Sequence, residues 1–292
     1  RMKPLLKKSL ESLNQSYIVR NLQEAYFDPN WHFHPHYQLF TVIEGSGTRF
    51  IGDDIRHFDA GDTVFLGPNM PHLWRSDRAY FERDLALQTQ GIVVYFTEDF
   101  LGKDFFEKPE MYAIKQLLAS SERGLDLTHS HSLKAVIVED LIELDATSGF
   151  EGVLKLLSIL QKLSACTDYQ FIASVNYENT HKISETERMH LVHEYVLKHY
   201  KEKISLSAVA ALANMTEAAF CRYFKSRTNK TFSDFVREIR IGHACKLLLA
   251  GKMSIAQVGY ESGFNTVSNF NSQFKAMKGK SPKQYQKIYI RD

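Results

Sequence analysis

The 292-residue chain has few cysteines, no long apolar run and little net charge. Its cysteines, Cys166, Cys221 and Cys245, are odd in number, widely spaced and form no Cys-x-x-Cys pair. That excludes a disulfide framework and a thiolate zinc site, and it fits free thiols in a reducing, cytoplasmic compartment. No apolar stretch reaches the roughly 18 residues of a membrane span, and the mean hydropathy is −0.29. The first residues carry Lys3, Lys7 and Lys8 without an uninterrupted apolar segment, so no secretory signal is expected.

What is present is unevenly distributed. Residues 181–292 hold 19 Lys and Arg against 9 Asp and Glu, a balance of +10, whereas residues 1–180 hold 17 against 25, a balance of −8. A basic C-terminal third joined to an acidic N-terminal part points to a polyanion partner for one domain only. At this length two domains are expected, and an apolar content of 44% is enough to build cores in both.

Residues 17–97 read as short strands. "YQLFTVIEGSGTRFIGDD" gives an alternating apolar run, a Gly-Ser-Gly turn and a second run, and "FDAGDTVFLGPNMPHLW" and "LALQTQGIVVYF" continue the style. Strands punctuated by Gly, Pro and Asp predict an all-β barrel or sandwich. From about residue 105 the period lengthens toward that of a helix. "SLKAVIVEDLIELDA" and "GFEGVLKLLSILQKLSA" are predicted helices, the second with Val153, Leu156, Leu157, Leu160 and Leu163 along one face. That seam either packs on its own sheet or forms an isologous contact with a second copy. Residues 167–183 are polar and aperiodic and are expected to be a linker, and 184–290 are helical almost throughout.

The helical part contains a repeat. Leu206, Val209, Ala210, Asn214 and Met215 recur as Ile255, Val258, Gly259, Gly263 and Phe264, and Phe220, Phe224 and Lys225 recur as Phe270, Phe274 and Lys275. Each copy has the layout of a helix-turn-helix: an apolar pair, a small residue where two helices cross, and a residue tolerant of left-handed backbone at the corner. An N-cap candidate follows (Thr216; Asn265 or Thr266), and then a helix whose paired phenylalanines face inward. The opposite face is left polar at a helix N-terminus, where base edges are read. Between the copies "SDFVREIRIGHACKLLLAG" reads as one helix, capped by Ser233 and ended by Gly251. About 18 residues span roughly 27 Å, a rod of the order needed to serve successive major-groove turns about 34 Å apart.

Residues 190–288 resemble the two-motif DNA-binding domain of the AraC/XylS transcription regulators. The resemblance is carried by "LSAVAALANMTEAAFCRYFK" and by "SIAQVGYESGFNTVSNFNSQFKAMKGKSPKQY", which closes on Phe274-Lys275, Gly279, Ser281-Pro282 and Tyr285. It implies DNA-facing positions at Glu217, Ala218, Cys221 and Arg222 in the first recognition helix. In the second it implies Val267, Ser268, Asn271 and Ser272. Lys225 and Lys275 are read as phosphate contacts. Ser272 stands where many members carry a basic residue, and Ala218 and Cys221 are apolar, so base contact by the first helix rests mainly on Arg222. Arg240 matches a family arginine and is expected to hold the joining helix to the motifs.

In the N-terminal part, "WHFHPHYQLFTVIEGSG" places His32, His34, His36 and Gln38 at even positions, on one face if the segment is a strand, and "GDTVFLGPNMPHLW" adds His72. The spacing resembles the cupin double motif, with Gln38 where a Glu is usual. Three readings stand side by side: a divalent-metal site of His32, His34, Gln38 and His72, a metal-free effector pocket, or structural histidines. The resemblance favours the pocket, because many AraC/XylS regulators join a cupin-like sensor to this DNA-binding domain. Effector-binding positions are then His32, His34, Gln38, Arg49, His72 and Trp74, with Trp31 and Phe40 as further stacking faces. A sugar or related metabolite is the expected effector. Gln38 and His36 depart from acidic residues common in that subgroup.

The expected architecture is therefore α+β in two domains: an N-terminal cupin-like β-barrel with following helices, and a C-terminal all-α double helix-turn-helix. The expected divisions are 1–100 for the effector-sensing barrel, 101–166 for a helical dimerisation or packing segment, 167–183 for the linker and 184–292 for the DNA-binding domain. The expected function is that of a cytoplasmic, homodimeric, effector-controlled transcription regulator, an activator, that binds double-stranded DNA, with RNA polymerase as a further candidate partner. No catalytic residue, metal or cofactor is assigned and no membrane is involved. The alternative is a metal-dependent cupin enzyme with an accessory helical domain.

Overall fold

The computed structural model describes residues 16–82, 87–130, 133, 136–175, 177 and 183–289. The chain divides into two compact units, Arg1–His181 and Lys182–Asp292. No helix among the described residues is long and apolar enough to cross a membrane.

The first unit is built on strands β1 (Tyr17–Glu24), β2 (Tyr37–Glu44), β3 (Gly47–Ile51), β4 (Asp54–Phe58), β5 (Thr63–Leu66), β6 (His72–Ser76), β7 (Thr89–Phe96), β8 (Leu125–Asp126) and β9 (Gln170–Phe171). They pair into a six-stranded sheet of order β1-β7-β2-β5-β8-β9 and a three-stranded sheet of order β4-β3-β6. Every ladder is antiparallel. The expected barrel is thus two sheets, with no ladder of the named strands joining them.

Alternation along the central strands serves two cores at once. Tyr37, Leu39, Ile92, Val94 and Phe96 pack on one face of the large sheet with Ile137, Leu141, Leu156, Ile159, Leu160 and Leu163. Phe40, Val42, Val64, Leu66 and Val93 pack on the other face with Ile51, Phe58 and Trp74 of the small sheet. The helices that cover the large sheet are α1 (Tyr112–Ser120), α2 (Ile137–Ala146) and α3 (Gly149–Ala165). The seam on α3 is therefore used within its own unit: Leu156, Leu160 and Leu163 are fully buried. The outer residues Phe150 and Leu154, with Ile142 on α2, remain exposed.

Two expectations change here. The stretch 101–166 holds α1–α3 but also β8, and the expected linker 167–183 contributes β9. Ile172 N donates to Gly124 O at 2.9 Å and Ala173 N to Arg123 O at 2.8 Å, so the chain stays bound to the sheet edge as far as Ala173. Residues 176 and 178–182 of that stretch lie outside the described residues. A two-residue strand has no alternation to read, which is why neither β8 nor β9 is legible in the sequence.

The second unit is helical: α4 (Ile183–His199), α5 (Leu206–Leu212), α6 (Glu217–Thr228), α7 (Phe232–Ala250), α8 (Ile255–Glu261), α9 (Val267–Lys278) and α10 (Pro282–Tyr289). The joining helix α7 begins at Thr231, whose hydroxyl accepts from Asp234 N, rather than at Ser233. It ends at Gly251 with φ 66°.

Because α3 closes the helical face of the large sheet, Leu160→Ala is expected to destabilise the first unit by about 2–5 kcal/mol. Chemical denaturation followed by circular dichroism checks this. A near-neutral substitution would mean that the seam is not part of this core.

Candidate functional site

Two corners of the second unit share one construction. In the first, Ser205 caps α5, Asn214 takes φ 55° at the turn, and the Thr216 hydroxyl accepts from Ala219 N at 3.3 Å to start α6. In the second, Ser254 and Gln257 form a capping box at α8, Gly263 takes φ 87°, and the Thr266 hydroxyl accepts from Asn269 N at 3.2 Å to start α9. The same backbone bond closes both turns: Met215 N to Ala210 O at 2.9 Å, and Phe264 N to Gly259 O at 3.0 Å. Small residues are required at the crossings. A Cβ on Gly259 would lie 2.9 Å from the Phe270 ring, and one on Gly263 would lie 2.7 Å from Tyr200 O.

The paired phenylalanines fix which face each recognition helix shows. Phe220 and Phe224 are fully buried against Phe232 and Phe235 at the start of α7, with ring centroids 5.4 Å (Phe220–Phe232) and 5.1 Å (Phe224–Phe235) apart. Phe270 and Phe274 are fully buried with Ile241, Ala244 and Leu248 farther along α7. With those faces inward, Glu217, Ala218, Cys221, Arg222 and Lys225 are exposed on α6. Ser268, Asn271, Ser272 and Lys275 are exposed on α9, and Val267 is half-buried.

Arg240 behaves as a strut: Nε donates to Tyr200 O at 2.7 Å and Nη2 to Glu202 O at 2.8 Å, tying α7 to the segment between α4 and α5. Arg237, which sequence reasoning passed over, donates from Nη1 to Gln273 Oε1 at 2.9 Å and so joins α7 to α9.

In the first unit a cavity of about 70 Å³ is lined by His32, His34, Gln38, Phe40, His72 and Trp74, together with Leu22, Phe27, Asp28, Phe33, Val93 and Tyr95. An isolated antiparallel bridge, His32 N to His72 O at 3.2 Å and His72 N to His32 O at 2.9 Å, pins the histidine segment to the start of β6. The tautomers follow from the partners. His32 Nδ1 faces Asn30 O at 2.7 Å and His72 Nδ1 faces Met70 O at 2.7 Å. A carbonyl only accepts, so each of those nitrogens carries a proton, and in a neutral His72 ring Nε2 keeps its lone pair. His34 Nε2 lies 2.8 Å from Gln38 Oε1 and donates to it. His34 Nδ1, His72 Nε2 and Trp74 Nε1 are buried without a protein hydrogen-bond partner among the described residues.

Burial pushes His34 down to about 4, against the bond to Gln38, and pushes His72 well below the ordinary 6.5. The cavity at neutral pH is thus uncharged at both rings, with imidazole lone pairs and one indole N–H on its surface. Ligand atoms of His32, His34 and His72 all lie within 4.8 Å of one another.

Arg49 is the exception among the expected effector-binding residues. It is only 2% exposed and is ion-paired with Asp62 at 2.8 Å and with Asp126, and it lines a different cavity. Trp31, expected as a stacking face, is buried and does not line the histidine cavity. Strand alternation told which side of β3 Arg49 takes but not which end of the domain its long side chain reaches. Tyr95 and Val93 of β7 were missed because they come from a strand more than fifty residues from the histidine motif.

Twin capped corners on one helix, each with a polar face outward, define a helix-turn-helix nucleic-acid-binding domain, carried in one chain with a sheet domain that encloses a small cavity. Residues 209–288 match the family described as a helix-turn-helix domain and residues 20–79 match the cupin domain. The chain thus combines an AraC-type helix-turn-helix domain with a cupin domain at its N-terminal side. It is 23% identical to the uncharacterized HTH-type transcriptional regulator YdeC of Bacillus subtilis, over 88% of this chain and 86% of that protein. It is 23% identical to the Msm operon regulatory protein of Streptococcus mutans, over 86% and 84%. Among solved structures, ToxT from Vibrio cholerae shares 15% identity over 95% of this chain and 99% of that one, with a TM-score of 0.38.

Two outcomes follow from this geometry. Gly263→Val places a branched side chain at φ 87° against Tyr200 O, and a lower melting temperature of the second unit with weaker DNA binding is expected. An unchanged melt with normal binding would contradict the corner. The histidines are depressed in the folded chain and ordinary in the unfolded one, so their contribution is complete above about 6.5 and is lost as pH falls toward about 4. Melts of the metal-free protein between those pH values should show stability falling with acidity, with a shallower slope in His34→Phe.

Proposed function

We propose that this chain is an effector-controlled transcription regulator in which α6 and α9 enter successive major-groove turns of one DNA duplex. A ligand in the histidine cavity then biases the balance between binding-competent and incompetent states. The observation that carries the reading is the shared helix: one α7, through its two halves, buries the phenylalanine pairs of both recognition helices and leaves both polar faces outward. The charge of +10 over residues 181–292 supplies the phosphate attraction, with Lys225 and Lys275 at the rims of the two reading faces. Base contacts are assigned to Glu217, Ala218, Cys221 and Arg222 on α6, and to Val267, Ser268, Asn271 and Ser272 on α9.

The effector site is assigned to His32, His34, Gln38, His72 and Trp74, without Arg49. The two imidazole lone pairs accept from hydroxyl or amide donors, and Trp74 Nε1 donates. A cavity of about 70 Å³ holds roughly five water-sized groups. A sugar, the class the resemblance suggests, therefore enters only if the irregular segment before β2 shifts. The exposed Phe150, Leu154 and Ile142 on the outer side of α2 and α3 are the surface offered for a homodimer. RNA polymerase is a further proposed partner in activation.

A second reading rests on the clustering of His32, His34 and His72. The neutral state of His34 and His72, and the backbone carbonyls that hold the Nδ1 protons of His32 and His72, are the arrangement that presents imidazole nitrogens to a divalent ion. In that reading the three rings hold the ion, Gln38 orients His34, and the ion supplies Lewis acidity or a regulatory ligand. Titration with Zn²⁺ or Co²⁺, followed by elemental analysis after dialysis, separates the two. Stoichiometric metal that disappears in His72→Ala favours it, and no retained metal rejects it.

For the main reading, Arg222→Ala is expected to relax preference at one base pair by about 1–3 kcal/mol of discrimination. Lys275→Ala should weaken all sequences alike and reduce the slope of log K against log salt by about 1. Competition gel shifts at several stated salt concentrations read both, and an Arg222→Ala loss that is uniform over all sequences would assign that side chain to phosphate instead.

A further inference from the structure

The first unit contains a second cavity, of about 320 Å³, that shares no lining residue with the histidine cavity. Its floor is ionic and deeply buried. Arg49 of β3, Asp62 just before β5 and Asp126 of β8 are 2%, 4% and 6% exposed. Arg49 Nη1 donates to Asp62 Oδ1 at 2.8 Å and Nη2 to Asp126 Oδ2. Thr128 closes the group, its hydroxyl donating to Asp62 Oδ1 at 2.9 Å and its N–H to Asp126 Oδ1 at 3.0 Å. At the mouth, Arg56 Nη1 donates to Asp126 Oδ2 at 3.1 Å.

Asp126 is thus bonded at both oxygens, and Asp62 is not. Asp62 Oδ2 and Arg49 Nε are both buried without a protein hydrogen-bond partner among the described residues. A carboxylate oxygen and a guanidinium N–H left without partners in the interior carry their full desolvation cost. Burial, aided by the neighbouring Asp126 and opposed by Arg49, pushes the Asp62 carboxyl up to about 6.

We propose that this cavity is a separate ligand site for a small zwitterion of the amino-acid type. Its ammonium donates to Asp62 Oδ2, and its carboxylate accepts from Arg49 Nε and from Arg56. One molecule then completes the unpaired acceptor and the unpaired donor together, through charge-assisted bonds. A neutral polyol offers only hydrogen bonds without charge assistance, and a simple amine leaves Arg49 Nε open. The site also touches the end of the unit. Arg56 Nη1 lies 3.4 Å from Gln170 Oε1 on β9, which pairs with β8 at the sheet edge and is the last strand before the second unit. Any effect of the ligand on DNA binding rests on the regulator reading, whereas binding itself does not, so the test reads binding alone.

The test is isothermal titration and thermal shift of the full chain with the standard amino acids, each at about 10 mM. Matched amines, matched carboxylates and glycerol serve as comparisons. At least one amino acid is expected to raise the melting temperature, with neither the amine nor the carboxylate reproducing the shift. Arg56→Gln, at the exposed mouth, should weaken that binding by about tenfold or more, and Asp62→Asn should abolish it. His72→Gln, in the other cavity, should leave it unchanged. If Asp62→Asn fails to fold, Arg56→Gln decides. The proposal is overturned if no amino acid shifts the melt, in which case buried water alone completes Asp62 and Arg49. It is equally overturned if binding survives undiminished in Arg56→Gln, or if only the polyol or only the amine binds.

Discussion

The DNA-binding half of this protein depends on one constraint: α7 is the common core of two helix-turn-helix corners. Its N-terminal half offers Phe232, Phe235, Val236 and Ile239, and the following turns offer Ile241, Ala244, Cys245 and Leu248, all buried. Each recognition helix buries two phenylalanines on this rod. Once those rings are placed, the helix cannot rotate without exposing them, so the polar face is fixed by hydrophobic burial on the opposite side. Nineteen residues of helix span roughly 28 Å, and Arg240 and Arg237 tie both ends of the arrangement to the rod. The spacing of the reading faces is thereby set by helix geometry and not by a flexible linker.

The sheet unit works by a different economy. Alternate residues of β2, β5 and β7 serve two cores, one under α1–α3 and one under the small sheet, and the second core is interrupted by polar groups at two places. One holds neutral histidines and the other holds a buried ion group. Buried polar groups of this kind add little stability compared with an apolar core of equal volume, and sites that recognise ligands retain them. Two such interruptions in one small sheet domain are the places where small ligands are proposed to bind.

Much of this was legible in the sequence, for reasons that can be named. The double corner was visible because left-handed backbone selects Asn214 and Gly263, and close crossings select Ala210 and Gly259, so chemistry imposed a repeat offset by 49 or 50 positions. The histidine cluster was visible through the motif spacing of His32, His34 and Gln38, although only Gln38 lies in a strand and the expected strand over the histidines is an irregular segment; a turn-bounded strand returns His72 beside them. What stayed hidden lies at longer range. Two-residue strands such as β8 and β9 carry no period, so a stretch that looked like a linker is bound to the sheet. The apolar seam of α3 could not declare whether its partner was its own sheet or another copy. Arg49 shared a strand face with the cavity residues, yet its partners Asp62 and Asp126 come from elements only the tertiary fold brings near.

The central claim is that both polar faces meet one side of a double helix at a separation fixed by α7. Hydroxyl-radical footprinting of the full chain on its own upstream DNA tests this most directly. Two protected patches on the same face, about 10 base pairs apart, are predicted. A single patch, or two patches on opposite faces of the duplex, would contradict it.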